Sequence, residues 1–173
     1  MERKMSEEIV ENVMAAEIDS ETADAADPAP EQQYCIFRAG RERFCIPVEH
    51  VEEVVEWPDL TRVPLAPASL LGIFNLRGCI VPVIDIAFTT ATRTDLAPRH
   101  VVVGLLEPRQ HESMRLGISA DEVIGTFTTR EPLLVEERPT EVPHCCGMLR
   151  HGDQLALALD LKSVAEHFPV GVI

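Results

Sequence analysis

Apolar and polar positions change over in short bursts along most of this chain, not in long helical stretches. Tyr34–Arg38 and Arg43–Val48 are two aromatic and β-branched runs. Ala39-Gly40-Arg41-Glu42 lies between them, and a short connection containing Gly predicts a β-hairpin. Val51-Glu-Glu-Val-Val-Glu-Trp57 fits either a turn of helix or a strand. Its paired valines and the Pro58 stop favour strand. Leu70-Leu-Gly-Ile-Phe74 and Cys79-Ile-Val-Pro-Val-Ile84 predict two strands around Asn75-Leu76-Arg77-Gly78. Gly72 and Gly78 read as turn residues, and Pro64, Pro67 and Pro82 as residues that fix loops and strand edges.

The same rhythm returns further on. His100–Glu107, Met114–Ala120, Glu122–Thr128, Cys146–Arg150 and Gln154–Leu159 are strand-length apolar runs, mostly separated by Pro- or Gly-containing stretches. His151-Gly152-Asp153 is strong hairpin chemistry. Short strands at near-regular spacing predict a sandwich or barrel. Only Leu161–Phe168 keeps a helical period, through Leu161, Val164, Ala165 and Phe168, with Asp160 as its N-cap. The Thr-rich stretch 87–98 reads as a linker or crossover dividing the folded part into comparable halves. The expected fold is therefore all-β with a short C-terminal helix.

Residues 1–32 differ in texture. Arg3 and Lys4 stand there against ten acidic residues, more than half of the chain's net charge of −14. Asp19–Pro30 is acidic, Ala-rich and broken by Pro, with too little apolar surface to offset the entropy of ordering. Met5, Ile9, Val10, Val13, Met14 and Ile18 follow a helical spacing, so this segment is either a fraying solvated stretch or a peptide that folds on a partner. The expectation is an acidic, disordered tail over 1–32 and a folded part over 33–168.

At 173 residues the chain suits one domain or two small subdomains, and 46% apolar with 25% charged residues is a globular balance. The negative charge argues against nucleic acid or an anionic membrane face as partner. Five cysteines follow an N-terminus without a secretory pattern, and no apolar run approaches the roughly 18–20 residues of a membrane span. A reducing cytoplasm is the expected location, without membrane insertion.

One stretch resembles a known family. Phe44-Cys-Ile-Pro-Val48, Val51-Glu-Glu-Val54, Val63-Pro-Leu-Ala-Pro67, Gly72-Ile-Phe-Asn-Leu-Arg-Gly78 and Ile80-Val-Pro-Val-Ile-Asp85 are similar in type and spacing to the CheW-like chemotaxis coupling module. Leu116–Gly125 and Cys146–Asp160 look like its later strand and closing hairpin, so the resemblance covers about 33–168. It implies two SH3-like, five-stranded β-barrel subdomains side by side with a groove between them and no catalytic site. It implies two partners: the regulatory domain of a CheA-type histidine kinase, and the tip of a methyl-accepting chemoreceptor in an array. The matching partner-binding positions are Val51, Glu53, Asn75, Leu76 and Arg77.

Each of these has a second, purely structural reading. Arg77 on a Gly-flanked turn can reach a partner, or can close its own subdomain by pairing with a local carboxylate; the two roles can coexist. Val51 can be contact or core. The resemblance has gaps: Ile86-Ala87-Phe88 replaces the Leu-Arg that commonly follows in the family, and Ser119-Ala120-Asp121 is smaller and more polar than usual. A divergent scaffold that binds only the kinase, in a pilus, gliding or other pathway, is the alternative.

Catalytic chemistry has little support in the residues. His144-Cys145-Cys146 with His151 is the one Cys/His cluster, and it lacks the paired spacing of a zinc site. A cysteine- or metal-dependent enzyme centred on His144–Cys146 is a remote alternative. No phosphate loop, dinucleotide fingerprint or nucleophile elbow occurs. No cofactor, no metal and no enzyme activity are expected. Cys35 and Cys45 are expected close together across the first hairpin, reduced.

Overall fold

A computed structural model of the chain describes residues 30–89, 98–109, 112–136, 142 and 144–167. Glu31–Ile173 is one compact unit, distinct from Met1–Pro30. The helical spacing at 5–18 lies outside the described residues. The first strand begins at Gln32, the last position of the expected tail.

Among the described residues ten strands form: β1 (Gln32–Ala39), β2 (Glu42–Pro47), β3 (Val51–Glu56), β4 (Leu70–Leu76), β5 (Cys79–Ile84), β6 (His100–Arg109), β7 (Glu112–Ala120), β8 (Glu122–Thr129), β9 (Cys145–His151) and β10 (Gln154–Leu159). They make two five-stranded sheets, ordered β8-β1-β2-β10-β9 and β3-β6-β7-β5-β4. Each sheet curls into an SH3-like barrel; the first is called barrel A and the second barrel B. The described residues also form two short α-helices, α1 (Ile86–Thr89) and α2 (Leu161–His167). Asp160 caps α2 as expected, its Oδ1 accepting from the backbone N–H of Lys162 and Ser163 at 3.0 and 3.1 Å.

The sheets do not divide at 87–98. β6 follows that stretch yet stays in barrel B with β3, β4 and β5, while β1 and β2 pair with β8 and β10. The first hairpin is thus donated to the barrel built by the last three strands. Pairing partners so distant in sequence leave no local mark, which is why a cut at the Thr-rich stretch looked natural.

Strand exchange produces three apolar layers. Tyr34, Ile36, Cys45, Leu149, Ala156 and Ala158 fill barrel A. Phe74, Val81, Val83, Val101 and Val103 fill barrel B. Between the barrels lies the largest layer, including Phe37, Phe44, Ile46, Ile84, Val102, Leu116, Ile118, Leu157 and Leu159. The central strands are therefore buried on both faces, which explains near-continuous runs such as Val101-Val-Val103. Cys35 pairs with Ile46 and Cys45 with Ile36, so the register puts the two cysteines on opposite faces of the hairpin, not side by side. None of the five cysteines is joined in a disulfide.

The barrels repeat one another. Gly72 pairs with Val83 after a bulge, and Gly147 pairs with Ala158 after a bulge in the matching place. Thr61 bridges to Ile73 beside the first, and Leu134 bridges to Met148 beside the second. The Asp85 N–H donates to Ser69 O and the Asp160 N–H to His144 O, both at 2.8 Å. Gly72 is thus not a turn residue: a Cβ there would meet the Thr61 carbonyl oxygen at 2.7 Å, so glycine admits the neighbouring loop. Pro82 is not at an edge either, since β5 runs between β4 and β7. The parallel ladder to β7 registers only Val83 and Ile84, just beyond the proline.

Replacing Phe44 by Ala should cost about 3–5 kcal/mol in urea unfolding, because its fully buried ring fills the layer shared by both barrels. Leu155→Ala, at an exposed strand position, should stay within about 0.5 kcal/mol of the parent.

Candidate partner-binding site

Barrel B has its two sheet edges at β3 and β4. A ladder slip between Val51 and Glu53 makes a bulge at Glu52, and such bulges re-aim side chains. Both acids reach arginines. Arg115, on β7, donates through Nε and Nη2 to the two oxygens of Glu52 at 2.5 and 2.8 Å. Its Nη1 also lies 3.2 Å from Cys79 Sγ. Arg77 Nη2 donates to Glu53 Oε2 at 2.9 Å. These bonds tie β3 to β7 and to the β4–β5 hairpin, closing the barrel circumference ionically.

The hairpin itself is a two-residue turn between the paired Leu76 and Cys79. Arg77 (φ +51°) and Gly78 (φ +89°) are both left-handed, as a type I′ turn requires. Asn75 Oδ1 accepts the Gly78 N–H at 2.7 Å and locks the loop. A left-handed arginine costs about 1 kcal/mol, and the bond to Glu53 offsets part of it. Arg77 is still 77% exposed while Glu53 is only 22% exposed. The guanidinium is held at one end and open to contact elsewhere. Glu53 Oε1 is shielded from solvent and accepts no hydrogen bond among the described residues.

The five sequence-predicted positions separate in role. Glu53, Asn75 and Arg77 form one continuous polar device on the hairpin and the bulged strand. Leu76 is half-buried against the barrel B core, and Val51 is half-buried against the layer between the barrels. Those two support the device from below. Glu52, Arg115 and Cys79 were missed, because Glu52 and Arg115 are far apart in sequence and β6 lies between their strands.

The side chains of the His144–Cys146 stretch are distributed over different surroundings. Cys145 is buried in the layer between the barrels, whereas Cys146 faces the barrel A core, as adjacent strand residues must. His144 Nδ1 lies 2.9 Å from Ser163 Oγ, tying the loop to α2. Among the described residues no group of three His, Cys, Asp or Glu side chains could hold a metal ion. Burial pushes the Cys45 thiol up to about 12, with Cys146, Cys145 and Cys35 adding to the rise. Cys45 therefore stays protonated and unreactive at neutral pH. No described helix is long and apolar enough to cross a membrane.

Hydrogen bonding to Arg115 holds the Glu52 carboxyl below its ordinary value of 4.5. The sign follows from proton linkage: the pair stabilises the fold above the ordinary carboxylate range and loses that effect as pH falls through the lowered folded value. Glu52→Gln should therefore lower the urea midpoint near neutral pH. The gap between the two proteins should close as pH falls well below the ordinary carboxylate range, and should shrink in high salt.

Comparisons with known proteins agree with this architecture. A family model described as the CheW-like domain matches residues 33–168. The "Probable chemotaxis protein CheW" of Rhizobium etli is 35% identical over 105 residues, 60% of this chain and 65% of that protein. "Protein FrzA" of Myxococcus xanthus is 34% identical over 103 residues, 58% of this chain and 61% of that protein. The chain thus spans under two thirds of the length of these relatives. Among solved structures, the scaffolding protein TtCheW from Thermoanaerobacter tengcongensis superposes with a TM-score of 0.67 at 22% identity, covering 79% of this chain and 88% of that one. That likeness is one of fold, two SH3-like subdomains included. The family match runs from the first strand through the terminal helix, and on that extent the chain belongs to the CheW-like family.

Proposed function

We propose that this chain is a non-enzymatic adaptor that couples chemoreceptors to a CheA-type histidine kinase. One observation carries the reading: a rigid type I′ hairpin presents an exposed Arg77, anchored through Glu53 to the barrel wall. A planar guanidinium, pre-set by one carboxylate and open on its other side, suits recognition of a protein surface. The ion pairs around it hold the geometry fixed before binding, so little entropy is lost on association.

In this reading the kinase's regulatory domain and the receptor tip are the two partners, engaged together in a cytoplasmic array. Signal passes as a difference in affinity between states, not as covalent change. Individual contacts of ordinary strength suffice, because an array adds avidity.

Titration calorimetry with the purified regulatory domain tests the proposal. The parent chain should bind in the micromolar range, and Arg77→Ala should weaken binding about tenfold or more while costing the fold only the roughly 1 kcal/mol or less of a partly exposed ion pair. A parent chain that shows no heat of binding at ~100 μM would overturn the adaptor reading.

A further inference from the structure

Two acids and two arginines meet at the bulge of β3, and their pairing is unequal. Arg115 engages three nitrogens within the fold. Its Nε and Nη2 donate to the two oxygens of Glu52 at 2.5 and 2.8 Å, and Nη1 lies 3.2 Å from Cys79 Sγ. Arg77 engages one, its Nη2 donating to Glu53 Oε2 at 2.9 Å. The rest of its five-donor fork faces outward, the side chain being 77% exposed against 30% for Arg115.

Other pairings lie close at hand, because each arginine is within the field of both acids. Hydrogen bonding from Arg115 is the main cause of the lowered Glu52 carboxyl, and the charges of Arg115 and Arg77 add to it. Arg115, held chiefly by its bond to Glu52, also responds to the charge of Glu53. Glu53 Oε1 accepts no hydrogen bond among the described residues, so it is open to a second donor. Released from Glu52, Arg115 would find that oxygen. Released from Arg115, Glu52 would find Arg77. Closing the barrel does not demand ion pairs here, since barrel A closes near its equivalent turn through the rings of Phe127 and His151.

We infer that Arg115 is a positioning residue for Arg77: by occupying both oxygens of Glu52, it leaves Glu53 alone to hold the hairpin guanidinium by a single nitrogen. The inference rests on the function proposed above, in which Arg77 meets the kinase's regulatory domain. Too little hold lets the arginine sample many rotamers, at an entropic cost on binding. Too much hold spends its donors on the chain's own acids. Glu52 and Arg115 thus satisfy each other and keep Arg77 between those two states.

Three full-length variants separate this role from a purely structural one: Glu52→Gln, Arg115→Gln and the two combined. In the free chain, NMR of labelled arginine reads how fast the Arg77 guanidinium rotates. Rotation should quicken in Glu52→Gln, where Arg115 takes Glu53, and slow in Arg115→Gln, where Glu52 joins the hold. In the double variant it should return to the parent's rate. Calorimetry with the regulatory domain should find each single variant weakened about fivefold or more, and the double within about twofold of the parent. That recovery should occur although the double variant's urea midpoint stays below the parent's. Affinities that do not move, or that follow the urea midpoint through all three variants, overturn the positioning role. So do single variants that shift affinity in opposite directions, as net charge alone would make them do. A parent chain that does not bind removes the adaptor reading, and the rotation rates then decide the pairing by themselves: rates equal in all four proteins overturn it.

Discussion

The apolar layer between the barrels is the constraint on which the rest depends. Phe37 and Phe44 stack there with ring centroids 6.0 Å apart, and Ile84, Leu116, Ile118 and Leu157 meet them from neighbouring strands. Neither sheet could stand alone with that face uncovered, because each central strand is apolar on both sides. Donation of the β1–β2 hairpin to the barrel built by β8, β9 and β10 makes the two halves inseparable. Asp121, where the chain passes between the barrels, fixes the crossing. Its Oδ2 accepts from Arg38 at 3.1 Å and from the Gly40 N–H at 2.9 Å, and its own N–H donates to Arg38 O at 2.8 Å. Terminal helix α2 adds another strap: a Cβ on Gly104 in barrel B would lie 3.0 Å from Leu161 Cδ1. A rigid body of this kind keeps surfaces on both barrels in fixed relation.

Internal repetition lets equivalent positions of the two barrels be compared directly. The stretches 72–85 and 147–160 carry the same bulge, bridge and hairpin, so their residues correspond one to one. At the turn, Arg77-Gly78 in barrel B faces Gly152-Asp153 in barrel A. At the bulge of the outer strand, Glu52-Glu53 corresponds to Ile124-Gly125, each bulge opposite the central hairpin. Barrel A closes near this turn with the edge-on contact of His151 and Phe127, centroids 4.9 Å apart, where barrel B closes with ion pairs. Gly152 is the residue that turn chemistry asks for, and Arg77 is not. The same turn therefore accommodates the costly residue in one copy and the easy one in the other, and at Arg77 the ion pair to Glu53 offsets part of the cost.

Much of the fold was legible because strand patterning is local. The first hairpin, the strand at Val51 and the turn at Asn75–Gly78 all lie where the apolar runs put them, within a residue or two. Asp160 as a cap was legible for the same reason. Sheet membership was not, since the pairing of β1 with β8 joins residues about ninety apart and depends on the whole tertiary arrangement. The repeat was hidden by divergence: only the glycine and the aspartate at its two ends are the same residue in both copies. In the site, the pairing of Arg77 with a nearby carboxylate was one of two readings, and it coexists with exposure. Arg115 could not be found from sequence, because its partner Glu52 becomes reachable only through a bulge and the curl of the barrel.

Electrostatics then separates the two ends of the molecule in a way that topology alone does not. Register equivalence places Arg43 of barrel A where Arg115 stands in barrel B, since Cys45 and Gly117 occupy the same place in the parallel ladders. Arg115 is neutralised by Glu52, a pairing made possible by the acidic bulge. Arg43 stands across the hairpin from Arg38, whose carboxylates are Asp121 and Glu122. One barrel therefore presents a cation whose charge is already matched and whose position is fixed. In its twin, the apolar Ile124 stands at the register equivalent of Glu52, so that position carries no carboxylate. Two faces of the same shape but different charge state cannot prefer the same partner surface. The repeated barrel thus carries different charge at equivalent positions without any change of fold.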